Sequence, residues 1–344
     1  MRAITISMLF VRCLSGTALW AQPSPFNGRA VPPVDSTGHY RLVFSGHFHG
    51  ASDNASGYPA ATLLAGLELI NGLGAHALVS TGDLFLDPDR DSARYRAAFF
   101  DRLHLPLFNA PGNHDKEGRA FASVVYPQRV ELGTDVLLLL DTERDNSDIT
   151  GDQLLAFERL AGEVEAGLHR RVFIVSHRPV WAEDDAVYGP LFSGNTRSLT
   201  GCNYRRDVWP LLNRMADRSQ VFWVSGSMAG GAPASVFFQP HAPNITFIQT
   251  AIRNELRDAV LLMDAWPDSL HWELVSLTAQ RTAPVESHDA AWWAAHRRGG
   301  AKPFQWRLLP YLVRTTVTHR AFPWGVLAGA LLCWLLRVSF RRWW

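Results

Sequence analysis

The sequence has few cysteines and almost no net charge, and each shortage excludes a class of protein. Three cysteines occur among 344 residues, and two of them, Cys13 and Cys333, lie in apolar terminal segments. The remaining thiol, Cys202, has no partner in the middle of the chain, which excludes a small disulfide-stabilised scaffold. The formal net charge is +1, from 33 basic and 32 acidic residues. So weak a field gives no reason to expect nucleic acid as a partner, and we expect none.

Internal repeats are also missing, whereas apolar residues are plentiful. Hydrophobic residues make up 47% of the chain, which is enough for a sizeable buried core at this length. Thirteen tryptophans are present, and nine of them follow residue 265. This bias suggests that the C-terminal end meets something other than bulk water.

The N-terminal end has the composition of a targeting segment. Residues 1–22 contain the early Arg2, apolar stretches, and small residues before Gln22, with Leu19 and Ala21 at positions suited to cleavage. This pattern predicts a secretory signal peptide, with a first core strand or a disordered N-terminus as the alternatives. Residues 23–39 are rich in Pro, Gly and Ser and predict a linker.

The C-terminal end predicts a membrane anchor. Residues 321–340 are apolar up to Arg337, whose guanidinium can reach the interface, so we expect a single transmembrane helix there, with a buried helix as the alternative. Residues 286–320 form a basic, Trp-rich juxtamembrane segment suited to lie on lipid, and residues 341–344 are a short basic tail. We therefore expect a membrane protein with an extracytoplasmic domain and membrane lipid as a partner.

Between the ends, strand-like and helix-like patterns alternate. Apolar runs of strand length are YRLVFS, ALVST, LPLFNA, DVLLLLD, RVFIVS, VFWVS and ITFIQT. Helical spacing occurs in residues 60–71, 92–103, 151–168 and 206–216. This alternation predicts one layered α/β domain over residues 40–285 with substantial parallel pairing. In such folds the chemistry lies at the carboxyl ends of the strands.

Four predicted strands lead directly into possible metal ligands. The residues that follow them are His47 and His49, Asp83, the Gly112-Asn113-His114-Asp115 turn, and His177. Imidazole, carboxylate and amide groups together suit a divalent ion such as Mn, Fe, Zn or Mg. One histidine at a strand end is commonly structural, but four strand ends of this composition are hard to explain by packing alone.

The order of these blocks resembles the calcineurin-like metallophosphoesterase family, in its purple-acid-phosphatase-like branch. The resemblance covers about residues 40–280, and its central blocks are STGDL and APGNHDKEG. It implies an α/β/β/α sandwich of two mixed sheets flanked by helices. It also implies a hydrolase that acts on a phosphomonoester or phosphodiester with metal-activated water.

The resemblance further implies roles for individual residues. Asp83 would bridge two metal ions. Asn113 and His177 would complete one ion and His49 the other. His47 stands where the family has an aspartate ligand, and a histidine there can still bind a metal. His114 would act beside the phosphate as a general acid or electrostatic clamp, and Asp115 would orient it.

Two blocks depart from the family pattern. His47 stands where the family has an aspartate, unless Gly46 is aligned there instead, which would replace the second ligand by Phe48. In the last block, Ser227 and Ala229 replace two histidines. His241 is the available substitute.

Three hypotheses follow from this mixture of retained and missing ligands. The first is a membrane-anchored phosphoesterase with one or two divalent ions and a phosphorylated substrate. The second is a catalytically impaired pseudoenzyme that serves as an extracytoplasmic binding or scaffold module. The third is a metal-binding protein without hydrolytic activity.

Overall fold

A computed structural model describes residues 23–115, 124–192, 195, 201–228, 231–297, 317 and 322–341. The predicted signal peptide at 1–22 lies outside the described residues, as do Ala229 and most of residues 298–321. The chain divides into one compact unit, Met1–Arg297, and a second unit, Arg298–Trp344.

The strands of the first unit are, in chain order, β1 (Tyr40–Ser45), β2 (Ala77–Ser80), β3 (Leu107–Asn109), β4 (Gln128–Leu132), β5 (Asp135–Leu139), β6 (Arg171–Ser176), β7 (Gln220–Ser225), β8 (Val236–Ala242), β9 (Ile245–Thr250), β10 (Ala259–Ala265) and β11 (Leu270–Ser276). They form a five-stranded sheet in the order β11-β10-β1-β2-β3 and a six-stranded sheet in the order β4-β5-β6-β7-β9-β8. In the first sheet β1, β2 and β3 are parallel, and in the second sheet β5, β6, β7 and β9 are parallel. The remaining pairs are antiparallel, so the predicted α/β fold with two mixed sheets is confirmed.

The helices are α1 (Ala61–Ala65), α2 (Leu67–Gly72), α3 (Pro88–Tyr95), α4 (Gly151–Glu165), α5 (Gly189–Phe192), α6 (Trp209–Ala216), α7 (Ala290–His296) and α8 (Phe322–Arg341). A π-helical turn, Arg96–Phe100, continues α3. A second π-helical turn, Tyr204–Val208, precedes α6. Helix α3 begins at Pro88, which suits a first helical position, and the Asp87 side chain caps it by accepting from Arg90 N.

Three apolar cores lie between the layers formed by the sheets and the helices. Phe44 of the first sheet packs with Phe173 and Phe222 of the second sheet in the core between the sheets. The neighbouring Val43 belongs instead to a core with the helical residue Leu63. Because successive strand residues point to opposite faces, this alternation gives each sheet one face for its partner sheet and one for helices.

The outer face of the second sheet has its own helical cover. Val172 and Trp223 of this sheet pack with Phe157 of α4 and Leu212 of α6. The buried face of α4 also includes Leu160 and Val164, the spacing expected for an amphipathic helix.

The compact unit extends beyond the predicted limits of 40–285. Within the predicted linker, Ser24 Oγ donates to Leu107 O at 2.5 Å. Within the predicted juxtamembrane segment, α7 packs on the second sheet, and Trp293 Nε1 donates to Val236 O at 2.9 Å. Both flanks, as far as they are described, therefore contribute to the folded domain.

The second unit contains α8, which coincides with most of the predicted transmembrane segment. Among the residues that the structure describes, no helix is both long enough and apolar enough to cross a membrane. The transmembrane helix predicted at residues 321–340 is therefore not supported, and the membrane location stays a prediction.

Candidate metal centre

The candidate site lies where strands of both sheets end. His47 and His49 follow β1, Asp83 follows β2, and His177 follows β6. Each of the four is at most 7% exposed, so the cluster is buried. The structure thus brings together these four of the side chains singled out in the sequence.

Three imidazoles converge on one carboxylate oxygen. The Nε2 atoms of His47 and His49 each lie 3.5 Å from Asp83 Oδ2, and His177 Nε2 lies 3.7 Å from the same oxygen. His47, His49 and Asp83 form a group whose ligand atoms all lie within 4.8 Å of one another and could hold a metal ion. The alternative alignment of Gly46 is disfavoured, since Phe48 is fully buried in the apolar core.

The ring nitrogens that face the Asp83 carboxylate make no hydrogen bond within the described part of the chain. His47 Nε2, His49 Nε2 and His177 Nε2 are buried and have no hydrogen-bond partner there. Leaving three buried polar atoms unsatisfied is costly, at about 1–3 kcal/mol each. A metal ion held by His47, His49 and Asp83 would remove that cost for two of the nitrogens, and an ion that also reached His177 would remove it for all three. The residues present therefore fit a metal.

In two of these rings, the hydrogen bond at Nδ1 shows which nitrogen carries the proton. His177 Nδ1 lies 2.9 Å from Thr81 O, and His49 Nδ1 lies 3.4 Å from Ala51 O. A carbonyl oxygen can only accept, so Nδ1 carries the proton and Nε2 keeps its lone pair. This arrangement is typical of histidines that bind metals.

The electrostatics favour the protonation states that ligate. Burial lowers the pKa of His47 well below its ordinary value and also lowers the pKa of His177. Burial alone would raise the pKa of Asp83, but the surrounding imidazoles, His177 first, hold it well below its ordinary value. Neutral imidazoles and an ionised carboxylate are the forms that bind metals.

Two of the candidate ligands sit on strained backbone. His47 has φ of 55° and Asp83 has φ of 62°, both in the left-handed region that non-glycine residues rarely adopt. Such conformations cost about 1–3 kcal/mol each and concentrate at functional sites. The strain therefore supports a functional role for this turn geometry.

Glycines allow the strand ends to approach one another. Gly82 has φ of 104°, and a Cβ there would lie 2.4 Å from His177 Nδ1. A Cβ on Gly112 would lie 2.1 Å from Asp83 Oδ1. No side chain fits at either position without moving the candidate ligands.

Asp115 holds the turn that carries Asp83. Its carboxylate accepts from the backbone N–H groups of Asp83, Leu84 and Gly112 at 2.8–2.9 Å and from Asn109 Nδ2 at 3.1 Å. Burial, with the charge of Asp83, raises the pKa of Asp115 to about 7. The structure thus places Asp115 in a positioning role toward the Asp83 backbone.

His114 lies at the edge of the cluster and is partly exposed. Its ring centroid is 4.9 Å from that of His49, and its backbone N–H donates to Asp83 Oδ1 at 3.2 Å. The ring is oriented by Leu86 O, which lies 2.9 Å from Nδ1, and not by Asp115. His114 Nε2 is the ring atom left to meet a substrate.

Asn113 does not join the imidazoles. Its side chain is exposed, and Oδ1 accepts from Arg178 Nη2 at 2.9 Å. From the sequence, Asn113 is expected on the metal, and Arg178 is expected to pair with an acid or to touch a phosphate. The position of Arg178, directly after a candidate ligand at a strand end, was the available signal.

Ser227 lies in the segment where the family pattern has its last pair of histidines. Ser227 is buried, its N–H donates to His177 O at 2.8 Å, and its Oγ accepts from Arg178 Nη1 at 3.2 Å. The proposed substitute, His241, lies elsewhere: its Nδ1 is 2.8 Å from Tyr188 Oη and its ring stacks on Phe247.

Comparison with known proteins gives little further information. No protein-family model and no curated protein sequence matches the chain. A solved structure described as "GAP50 the anchor in the inner membrane complex of Plasmodium" is similar over 77% of this chain and 98% of that chain, with 12% identity and a TM-score of 0.47. A likeness at that score carries no argument about this chain.

Proposed function

We propose that this chain is a metal-dependent phosphoesterase that holds one divalent ion on His47, His49, Asp83 and His177. The observation that carries the proposal is the convergence of three unpartnered imidazole nitrogens on Asp83 Oδ2. The family resemblance of the surrounding turns supplies the reaction class, hydrolysis of a phosphate ester.

The donor set supports a particular group of metals. Three imidazoles and one carboxylate suit Zn, Fe or Mn. Mg is disfavoured because it prefers oxygen ligands and retains its waters.

Charge supports one ion rather than two. Two divalent ions about 4 Å apart repel each other by roughly 16 kcal/mol at an effective dielectric constant of about 20. Asp83 is the one carboxylate among the four proposed ligands, because His47 stands where the family has an acid. Asn113 and Ser227, at positions where the family holds its metals, are hydrogen-bonded to Arg178 instead.

The residues then have the following roles. A bound divalent ion would supply a Lewis acid that lowers the pKa of a water nucleophile. Leu86 O holds the proton on His114 Nδ1, so a second proton on Nε2 can pass to the leaving oxygen of the ester. Asp115 keeps the Asp83 turn in place through the backbone.

A second candidate function is a binding module without turnover. It is favoured by Ser227 and by the Arg178 contact that engages the Asn113 side chain. This alternative predicts a stoichiometric metal ion, or none, with no hydrolysis.

The test is hydrolysis of p-nitrophenyl phosphate and bis-p-nitrophenyl phosphate by the purified full chain with added Zn or Mn. We expect turnover that Asp83→Asn abolishes and that Asp89→Asn, at an exposed acid on α3, leaves unchanged. Folded wild-type protein that binds the metal but shows no turnover above Asp83→Asn would support the binding module instead.

A further inference from the structure

Arg178 is held between Asn113 and Ser227, two residues at positions where the family pattern has metal ligands. It directly follows His177, and its side chain is 11% exposed. Its guanidinium donates to Ser227 Oγ at 3.2 Å through Nη1 and to Asn113 Oδ1 at 2.9 Å through Nη2. A fixed positive charge thus lies between two positions where the family pattern has metal ligands.

Two further contacts hold the Arg178 guanidinium in place. Nε donates to Glu143, whose side chain is fully buried, and Nη1 donates to Asn195 O at 3.0 Å. A guanidinium has five N–H groups, and these contacts use four of them. The remaining proton is on Nη2, at the solvent-exposed end that meets Asn113.

That end lies beside the candidate metal centre. Asn113 is flanked by Gly112, which approaches Asp83 Oδ1, and by His114, whose N–H donates to the same oxygen at 3.2 Å. On the other side, His177 connects Arg178 to the imidazole cluster.

We propose that Arg178 forms an anion-binding position that takes a non-bridging phosphoryl oxygen of the substrate in place of a second metal ion. Planar guanidinium groups bind phosphate oxygens through charge-assisted hydrogen bonds, and this one is already oriented by Glu143. The inference rests on the proposed function for the identity of the substrate. The binding position itself can be measured without turnover.

The experiment is a calorimetric titration of the metal-loaded full chain with inorganic phosphate, accompanied by metal analysis and thermal unfolding. For Arg178→Gln we expect phosphate affinity to fall about 10- to 100-fold, as for the loss of a hydrogen bond to a charged group, with metal content unchanged. Arg178→Lys should recover part of the affinity because it keeps the charge. Arg144→Gln, at an exposed arginine paired with Asp141, is the control and should bind phosphate like the wild type.

The Glu143→Gln variant distinguishes two roles of Arg178, which are binding an anion and forming a purely structural ion pair. It removes the salt bridge and leaves the cation, so we expect phosphate affinity to be kept or increased. Equal losses in Glu143→Gln and Arg178→Gln, or unchanged affinity in Arg178→Gln with full metal content, would overturn the inference. Arg178-dependent phosphate binding by a chain that holds no metal would overturn the proposed function and leave the inference standing.

Discussion

At the scale of single residues, the site depends on side chains held in positions that cost energy. His47 and Asp83 adopt left-handed backbone, and three imidazole nitrogens are buried without a hydrogen-bond partner in the described chain. Ligand binding compensates for such costs when the strained groups are the ones that bind. Under the proposed function, metal binding would offset the strain of the two turns.

Gly82→Ala tests how tightly the strand ends are fitted. The new Cβ would meet His177 Nδ1, and alanine is strained at φ of 104°. We expect the free energy of unfolding to fall by at least about 1–3 kcal/mol and metal affinity to weaken. Chemical denaturation measures the first effect and metal titration the second.

Gly162→Ala is the matched control for this substitution. Gly162 lies on the exposed side of α4, and a Cβ added there would have nothing within 4 Å, so alanine should stabilise the helix by about 0.5–1 kcal/mol. A Gly82→Ala protein as stable as this control would contradict the described packing.

His114→Ala tests the proton donor. We expect kcat to fall about 10²–10⁴-fold with metal content unchanged, because the ring contacts the cluster without being a proposed ligand. The loss should be larger for phenyl phosphate than for p-nitrophenyl phosphate, whose leaving group needs less protonation. His104→Ala, at an exposed histidine, serves as control, and equal losses on both substrates would argue against a general acid.

At the scale of elements, a buried polar group joins the two sheets at the end away from the site. Asp135, at the start of β5, accepts from Tyr40 Oη of the first sheet at 2.7 Å and from Arg171 Nη1 of β6 at 3.0 Å. Asp135 and the Arg171 side chain are almost completely buried. Asp135 therefore connects β1 of the first sheet to β6 of the second, and Arg170 Nε lies 3.7 Å from its other oxygen.

Asp135→Ala should be strongly destabilising because it leaves the Arg171 charge buried without its carboxylate. We expect a loss of about 3–5 kcal/mol in the free energy of unfolding. Glu165→Ala breaks the exposed pair with Arg214 and should leave the unfolding midpoint unchanged within error. Similar midpoints for the two variants would contradict the role given to Asp135.

The elements show which parts of the fold the sequence can predict. Apolar runs predict β1, β5, β6 and β7 because each strand is almost entirely buried. The edge strand β4 was not predicted, since QRVEL exposes one face and has no continuous apolar run.

Long-range pairing limits the prediction further. Strand β1 pairs with β10, joining Tyr40 to Ala265, and no local pattern shows which of two sheets a strand enters. For the site, the rule that chemistry lies at the carboxyl ends of strands predicted that His47, His49, Asp83 and His177 lie close together. The contact between Arg178 and Asn113 could not be predicted, because it depends on the rotamer of a long side chain.

At the scale of the whole molecule, the domain places strand ends from both sheets around one buried carboxylate. Asp83 comes from the first sheet and His177 from the second, so a bound ion would cross-link the two halves of the sandwich. A ligand that binds the folded state alone stabilises it, by about 2.7 kcal/mol at 100 times its dissociation constant. Metal should therefore raise the thermal midpoint of the wild type more than that of Asp83→Asn.

The central claim is a single metal ion on a cluster of three histidines and one aspartate. Elemental analysis of the purified full chain, equilibrated with Zn or Mn and freed of unbound metal, tests it most directly. We predict about one ion per wild-type chain, and in Asp83→Asn an affinity weakened by more than the roughly 10- to 100-fold that loss of an outer hydrogen-bond partner costs. No retained ion in folded wild-type protein, two ions per chain, or full occupancy in Asp83→Asn would contradict the account.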